Sequence, residues 1–296
     1  PGRFADLAWC PAPGLAVGAP TRRRPGMSDI RTPVDWHVHV HQPGKTSAVL
    51  DSAAAAFARV NPRRDGPLGV LMLAEMPGQS VFDDLRVPGD SLGPWSISST
   101  DEAVSVVASR GEERVVVIAG YQITTAERLE VLALGTRARP KDGLPAERLL
   151  KELTDHGVMA VLPWGVGKWL GARGAIVSEL VQRLPPQAFS LGDNAGRPRF
   201  WPLPTPFRAA GRRGIAVLPG TDTLPGAPPA AGGFGSLVPG PLSLKRPAEA
   251  LRRVLAGPSH ALTPYGSLSG PATFVRDQAM LRLRRLARDR GSRDGR

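Results

Sequence analysis

The chain has 296 residues, 42% of them hydrophobic, which is enough to bury one large core in a single domain. Its 38 Lys and Arg residues exceed its 26 Asp and Glu residues, for a net charge of +12, and it has 1 cysteine. A single thiol, Cys10, excludes an internal disulfide framework and a thiolate metal cluster, and no run of about 18 apolar residues announces a membrane span.

The expectation from these features is a cytoplasmic protein. The basic surplus is mostly arginine, and much of it lies in Arg22 to Arg24 and in the segment Arg282 to Arg296. It reads first as a solvated surface and tail of an Ala-, Gly- and Pro-rich chain, and only second as a nucleic-acid or phosphate patch.

Residues 1–26 carry Pro and Gly without periodicity and are expected to be a disordered or non-native leader, with residues 27–296 as one domain. From Val34 onward, short β-rich runs alternate with helical patterns, the signature of β/α units. The runs are Val34–Val40, Leu68–Glu75, Arg114–Ile123, Arg128–Leu134, Val158–Trp164, Ala188–Asp193 and Ile215–Asp222. Helical stretches are expected at Ser47–Val60, Ala146–His156 with Gly157 as its C-terminal stop, and Ala175–Leu184 before Pro185. Only Thr124 to Glu127 separate the third and fourth runs, too few for a crossover helix, so a hairpin is predicted there. The Pro- and Gly-rich segment Leu224–Pro241 reads as a lid or covering loop. Helices at Pro247–Leu255 and Phe274–Arg288 follow, the second amphipathic and expected to pack outside the domain.

The strongest chemical signal is Asp35-Trp36-His37-Val38-His39-Val40-His41. Side chains two apart on a strand share a side, so His37 and His39 can chelate one ion; the alternative is a pair of histidines hydrogen-bonded within the core. The segment Pro163 to Gly174 contains Lys168 and Arg173 among glycines and suits an anion at a helix N-terminus, or else a flexible turn. Asp193 and Asn194, at the end of the sixth run, suit substrate hydrogen bonding or an Asx-turn. Trp164 and Trp169 either wall a pocket or simply pack. His156 and His260 read as local features rather than ligands.

The Asp-x-His-x-His start, the segment Ile118 to Thr125 followed by Glu130 to Gly135, and Gly220-Thr221-Asp222 resemble the polymerase and histidinol phosphatase (PHP) family. The resemblance spans roughly residues 33 to 225. It implies a distorted seven-stranded β/α (TIM-like) barrel with C-terminal helices and a metal cluster at the strand ends, acting on phosphate esters. Several family ligands are replaced: Ala74-Glu75-Met76 stands where Thr-Asp-His is usual, Gln122 where glutamate is usual, Glu130 near a usual histidine, and Leu162-Pro163-Trp164 for Ala-His-Pro.

What remains is a reduced site of His37, His39 and Asp222, with Glu75 as a fourth oxygen donor, holding one divalent ion: zinc, manganese or iron. Asp222 is alternatively the general base, or a turn carboxylate. The function expected is metal-dependent hydrolysis of a phosphate ester or similar small anionic substrate, with Lys168, Arg173, Asp193 and Asn194 on the substrate side. The rival readings are a catalytically degenerate binding or regulatory protein on the same fold and, behind it, a nucleic-acid-associated protein. A membrane partner is not expected.

Overall fold

The computed structural model describes residues 30–42, 44–61, 66–87, 92–227, 230–258 and 261–291, with side chains of the last helix described to Arg282. The leader expected at residues 1–26 and the side chains of the arginine-rich end lie outside these. In chain order the elements are β1 (Arg31–Val38), α1 (Thr46–Val60), β2 (Gly69–Leu73), α2 (Val81–Arg86), β3 (Ser96–Ser99), β4 (Ser105–Arg110) and β5 (Glu113–Ile118). Then come β6 (Gly120–Thr124), β7 (Glu130–Leu134), α3 (Ala146–Asp155), β8 (Met159–Pro163), α4 (Ala172–Arg183), β9 (Ser190–Asn194) and α5 (Thr205–Arg213). The chain ends with β10 (Val217–Gly220), β11 (Gly235–Pro239), α6 (Pro247–Ala256), β12 (Thr263–Tyr265) and α7 (Pro271–Gly291).

These strands form two open mixed sheets, one of 7 strands in the order β12-β11-β1-β2-β5-β4-β3 and one of 5 in the order β10-β9-β8-β7-β6. The barrel implied by the resemblance is therefore corrected: among the described residues, no ladder joins the two open sheets into a closed ring. The reason lies in the third run, Arg114–Ile123, which is not one strand. It breaks at Ala119, leaving β5 parallel to β2 in one sheet and β6 antiparallel to β7 in the other. Gly120 makes the crossing, because a Cβ there would lie 2.5 Å from the carbonyl oxygen of Leu73 and 2.8 Å from that of Ala133. Antiparallel pairings of β6 with β7 and of β7 with β8 then interrupt the β/α alternation that closure of a parallel barrel needs.

Other expectations hold locally. The hairpin after Ile123 is present, with Thr124 opposite Glu130. Helix α3 buries Leu149, Leu150 and Leu153 on its apolar face and stops before Gly157, whose φ of 66° suits the residue that ends a helix. The covering loop is only partly that. Within Leu224–Pro241, residues 235–239 form β11, which satisfies the exposed edge of β1 by antiparallel pairing from Arg31↔Pro239 to Val34↔Ser236. Helix α7 lies on the outside, with Phe274 against the rings of Phe200 and Trp201 and no side chain from Pro271 to Arg282 fully buried. Among the described residues, no helix is long and apolar enough to cross a membrane.

The core is apolar on both faces of the large sheet, with Trp36, Phe57, Leu71 and Ile118 fully buried. Trp36 keeps its indole N–H satisfied by donating to Ser236 Oγ at 2.7 Å across the β1–β11 pair. Helix α6 has no capping side chain of its own, and a distant carboxylate replaces it. Glu102 accepts the Ala248 N–H at 2.8 Å and the Glu249 N–H at 2.7 Å. Replacing Glu102 by Ala is expected to lower stability by about 1–2 kcal/mol, the range for loss of a good N-cap. Urea denaturation measures it, and an unchanged midpoint would show that this cap contributes nothing.

Candidate metal centre

The site is built where the two sheets approach each other. His37 and His39 lie two apart at the end of β1, past a register irregularity between Asp35 and Val38, and their side chains converge, while Asp35 sits before that irregularity. Asp222 follows β10 by two residues, and its backbone N–H donates to the His37 carbonyl at 2.8 Å. Gly220 permits that approach, since a Cβ on it would sit 2.5 Å from the His37 backbone nitrogen. The turn leaves Asp222 at φ 43°, an uncommon conformation for a residue other than glycine.

Asp35 fixes this geometry from beneath. Its fully buried carboxylate accepts the Thr221 hydroxyl at 2.5 Å, the Thr221 N–H at 2.9 Å, the Gly232 N–H at 2.9 Å and the His37 N–H at 3.3 Å. Burial pushes its pKa up to about 6 even though each of these bonds favours the charged form.

Above it, three ligand atoms converge. His37 Nε2 and His39 Nε2 are 2.9 Å apart, and Asp222 Oδ1 lies 3.6 Å from the first and 3.4 Å from the second. A point about 2 Å from all three exists just off their plane, which matches the zinc bond lengths to imidazole nitrogen and carboxylate oxygen. The buried His37–His39–Asp222 group can hold a metal ion.

The electrostatics suit that use. Burial drives the His37 pKa down to about 4, outweighing the pull of Asp222 in the other direction, so at neutral pH the ring is uncharged, with one of its two nitrogens available as an acceptor or ligand. Asp222 goes the opposite way: burial would raise its pKa, but His37, His39 and Lys168 together hold it well below the usual carboxylate range. The second oxygen of Asp222 is committed as well. Asn194 Nδ2 donates to Oδ2 at 2.7 Å while also reaching the Trp164 carbonyl at 3.2 Å. His39 Nδ1 is buried with no partner, so the hydrogen bond that usually orients a metal-bound imidazole is missing from this ring.

The other expected site residues are placed as follows. Glu75 is not in the three-residue group. Its Oε1 accepts the Phe82 N–H at 2.6 Å in the first turn of α2, and burial raises its pKa. Lys168 pairs with Glu130 and lies near enough to influence His37 and Asp222. Arg173 donates to the Gly167 carbonyl at 2.9 Å, back onto its own loop. Asp193 forms a buried two-pronged ion pair with Arg197, both contacts at 2.8 Å. Trp164 and Trp169 line a separate cleft of about 380 Å³ with Trp201. His156 bonds the Glu152 carbonyl, a local contact at a helix end, and His260 lies outside the described residues. Sequence reasoning missed the role of Asp35, whose place two residues before His37 was the available signal. It also missed Asn194 as a partner of Asp222, which no local pattern reveals.

No family model matches the chain, and no curated protein matches it in sequence. Among solved structures it is similar to PsfC from Pseudomonas syringae PB-5123, at 14% identity and a TM-score of 0.52, covering 87% of this chain and 98% of that one. At that identity the likeness bears on fold alone. The PHP assignment is accordingly corrected, because two open sheets replace its barrel and no family match supports it.

Asn194→Ala frees Asp222 Oδ2 and is expected to weaken zinc affinity about 10–100-fold, as loss of outer-shell support usually does. Competition titration against a chromogenic chelator measures this. Wild-type affinity in the variant would show that the 2.7 Å contact has no bearing on the centre.

Proposed function

We propose that this chain is a metal-dependent hydrolase of small anionic substrates, phosphate esters foremost, working with one divalent ion, zinc before manganese or iron. The single observation carrying this reading is the triangle of His37 Nε2, His39 Nε2 and Asp222 Oδ1, with sides of 2.9, 3.4 and 3.6 Å. Three protein ligands leave a position open, which is the pattern of catalytic rather than structural zinc sites. A bound divalent ion supplies Lewis acidity and lowers the pKa of water in its open position.

The chain's own residues do the rest. His37, neutral at physiological pH, and His39 present ring nitrogens, and Asp222 brings one negative charge. Asn194 holds the second Asp222 oxygen, so the carboxylate faces the centre with Oδ1 alone. Lys168, held by Glu130, adds positive charge beside the site and favours an anionic substrate over a neutral one. A net charge of +12 favours the approach of anions at low salt.

Metal analysis of untagged protein is expected to give one zinc per chain in the wild type and none in the His37→Ala/His39→Ala variant. With zinc or manganese added, a panel of phosphomonoesters, phosphodiesters and lactones is expected to show turnover that Asp222→Asn reduces to background. Equal metal content in wild type and double variant would sink the metal centre. Metal binding without turnover of any panel member would leave a binding protein in place of a hydrolase.

A further inference from the structure

A cleft of about 390 Å³ adjoins the metal centre, lined by the proposed ligand His39 and by Thr223, the residue after Asp222. Its volume falls within the range of small-molecule sites, roughly 300–1,000 Å³. Val40, Val49 and Leu224 give it an aliphatic wall, and Lys45 contributes a cation, while no aspartate or glutamate is among the lining residues. Lys45 is also the N-cap residue of α1, an unusual place for a cation. It supplies no side-chain cap, and the first turn has no acidic residue. The positive end of the helix dipole and the lysine charge thus fall on the same side of the cleft with no carboxylate to offset them. Among the described residues Lys45 has no ion-pair partner, whereas Lys168 is held by Glu130 and Arg173 by loop carbonyls.

We infer that this cleft holds the non-reacting part of the substrate, and that this part is a short aliphatic segment ending in an anionic group, carboxylate or phosphate, which Lys45 recognises. The inference rests on the metal-centre reading for where the reacting bond lies, but not for the cleft's own affinity. The aliphatic wall binds the chain by removing it from water, with affinity rising about threefold to fourfold for each methylene buried. The α1 terminus and Lys45 select the charged end. Together they distinguish a bifunctional substrate from a simple phosphomonoester, which would occupy the metal position and leave the cleft wet.

The test uses full-length protein held in chelator, so that no metal competes for the anion. Two homologous series, alkyl carboxylates and alkyl phosphates of two to six carbons, are titrated by calorimetry or by ligand-observed NMR. Affinity is expected to climb with chain length until the cleft is full. Lys45→Ala is expected to lower it about fivefold at low salt, the scale of one exposed charge pair. Ala48→Phe, which fills the cleft from α1, is expected to abolish the dependence on chain length, with circular dichroism confirming that the variant is folded. Whichever series binds more tightly identifies the anionic group. Affinity that is independent of chain length in the wild type, or unchanged in Lys45→Ala, overturns the inference. A wild type that takes up no zinc yet gives the expected titrations would overturn the metal reading and leave the cleft standing.

Discussion

The buried carboxylate of Asp35 is the contact on which the rest of the site depends. It is fully buried and surrounded by donors from three stretches of chain: His37 on β1, Thr221 after β10 and Gly232 before β11. A buried amide left without an acceptor costs about 1–3 kcal/mol, so those stretches are held together at one point. The Thr221 bonds matter most, since Thr221 precedes Asp222, and fixing its amide and hydroxyl fixes the direction in which Asp222 leaves the strand.

That constraint explains how a seam between two open sheets can carry an ordered centre. Among the described residues no ladder runs across it; β1 and β10 belong to different sheets and meet through the Asp222 N–H bond to His37 and the close backbone approach at Gly220. On the other flank of β2, an isolated bridge between Glu75 and Tyr121 is the corresponding contact. A closed barrel would hold such groups by continuous hydrogen bonding. Here a handful of buried polar contacts does so, with Asp222 at φ 43°, its backbone N–H on the His37 carbonyl and its Oδ2 accepting from Asn194.

The elements were largely legible in the sequence because burial enforces period. Helices α1, α3 and α4 and strands β1, β2, β7, β8 and β9 all fall where apolar spacing placed them. The architecture was not legible. The β-rich run from Arg114 to Ile123 looks like one strand, and Gly120 within it was the only local sign that the chain changes sheets at Ala119. Strands β3 and β4 are short and serine-bearing, and β11 lies in Pro- and Gly-rich sequence, so both depend on partners far along the chain rather than on their own pattern. The same division applies to the site. His37 and His39 were visible as a two-residue repeat, and Asp222 as a strand end. The distant contacts of Asn194 to Asp222 and Lys168 to Glu130 come from tertiary structure alone.

Those distant contacts also bear on how many ions the proposed centre takes. Lys168 sits close enough to act on both His37 and Asp222, and Glu130 anchors its ammonium there. A second divalent cation beside the first would meet this fixed charge. Of the nearby carboxylates, Glu130 is paired with that same ammonium, Glu75 Oε1 accepts from the Phe82 amide, Asp193 is paired with Arg197 and Asp35 holds the seam. On the proposed reading, the Lys168 ammonium, held by Glu130, is a fixed charge beside His37 and Asp222 that offers no ligand to a cation. Under that reading, His37, His39 and Asp222 would hold a single ion, with the neighbouring carboxylates committed to protein donors.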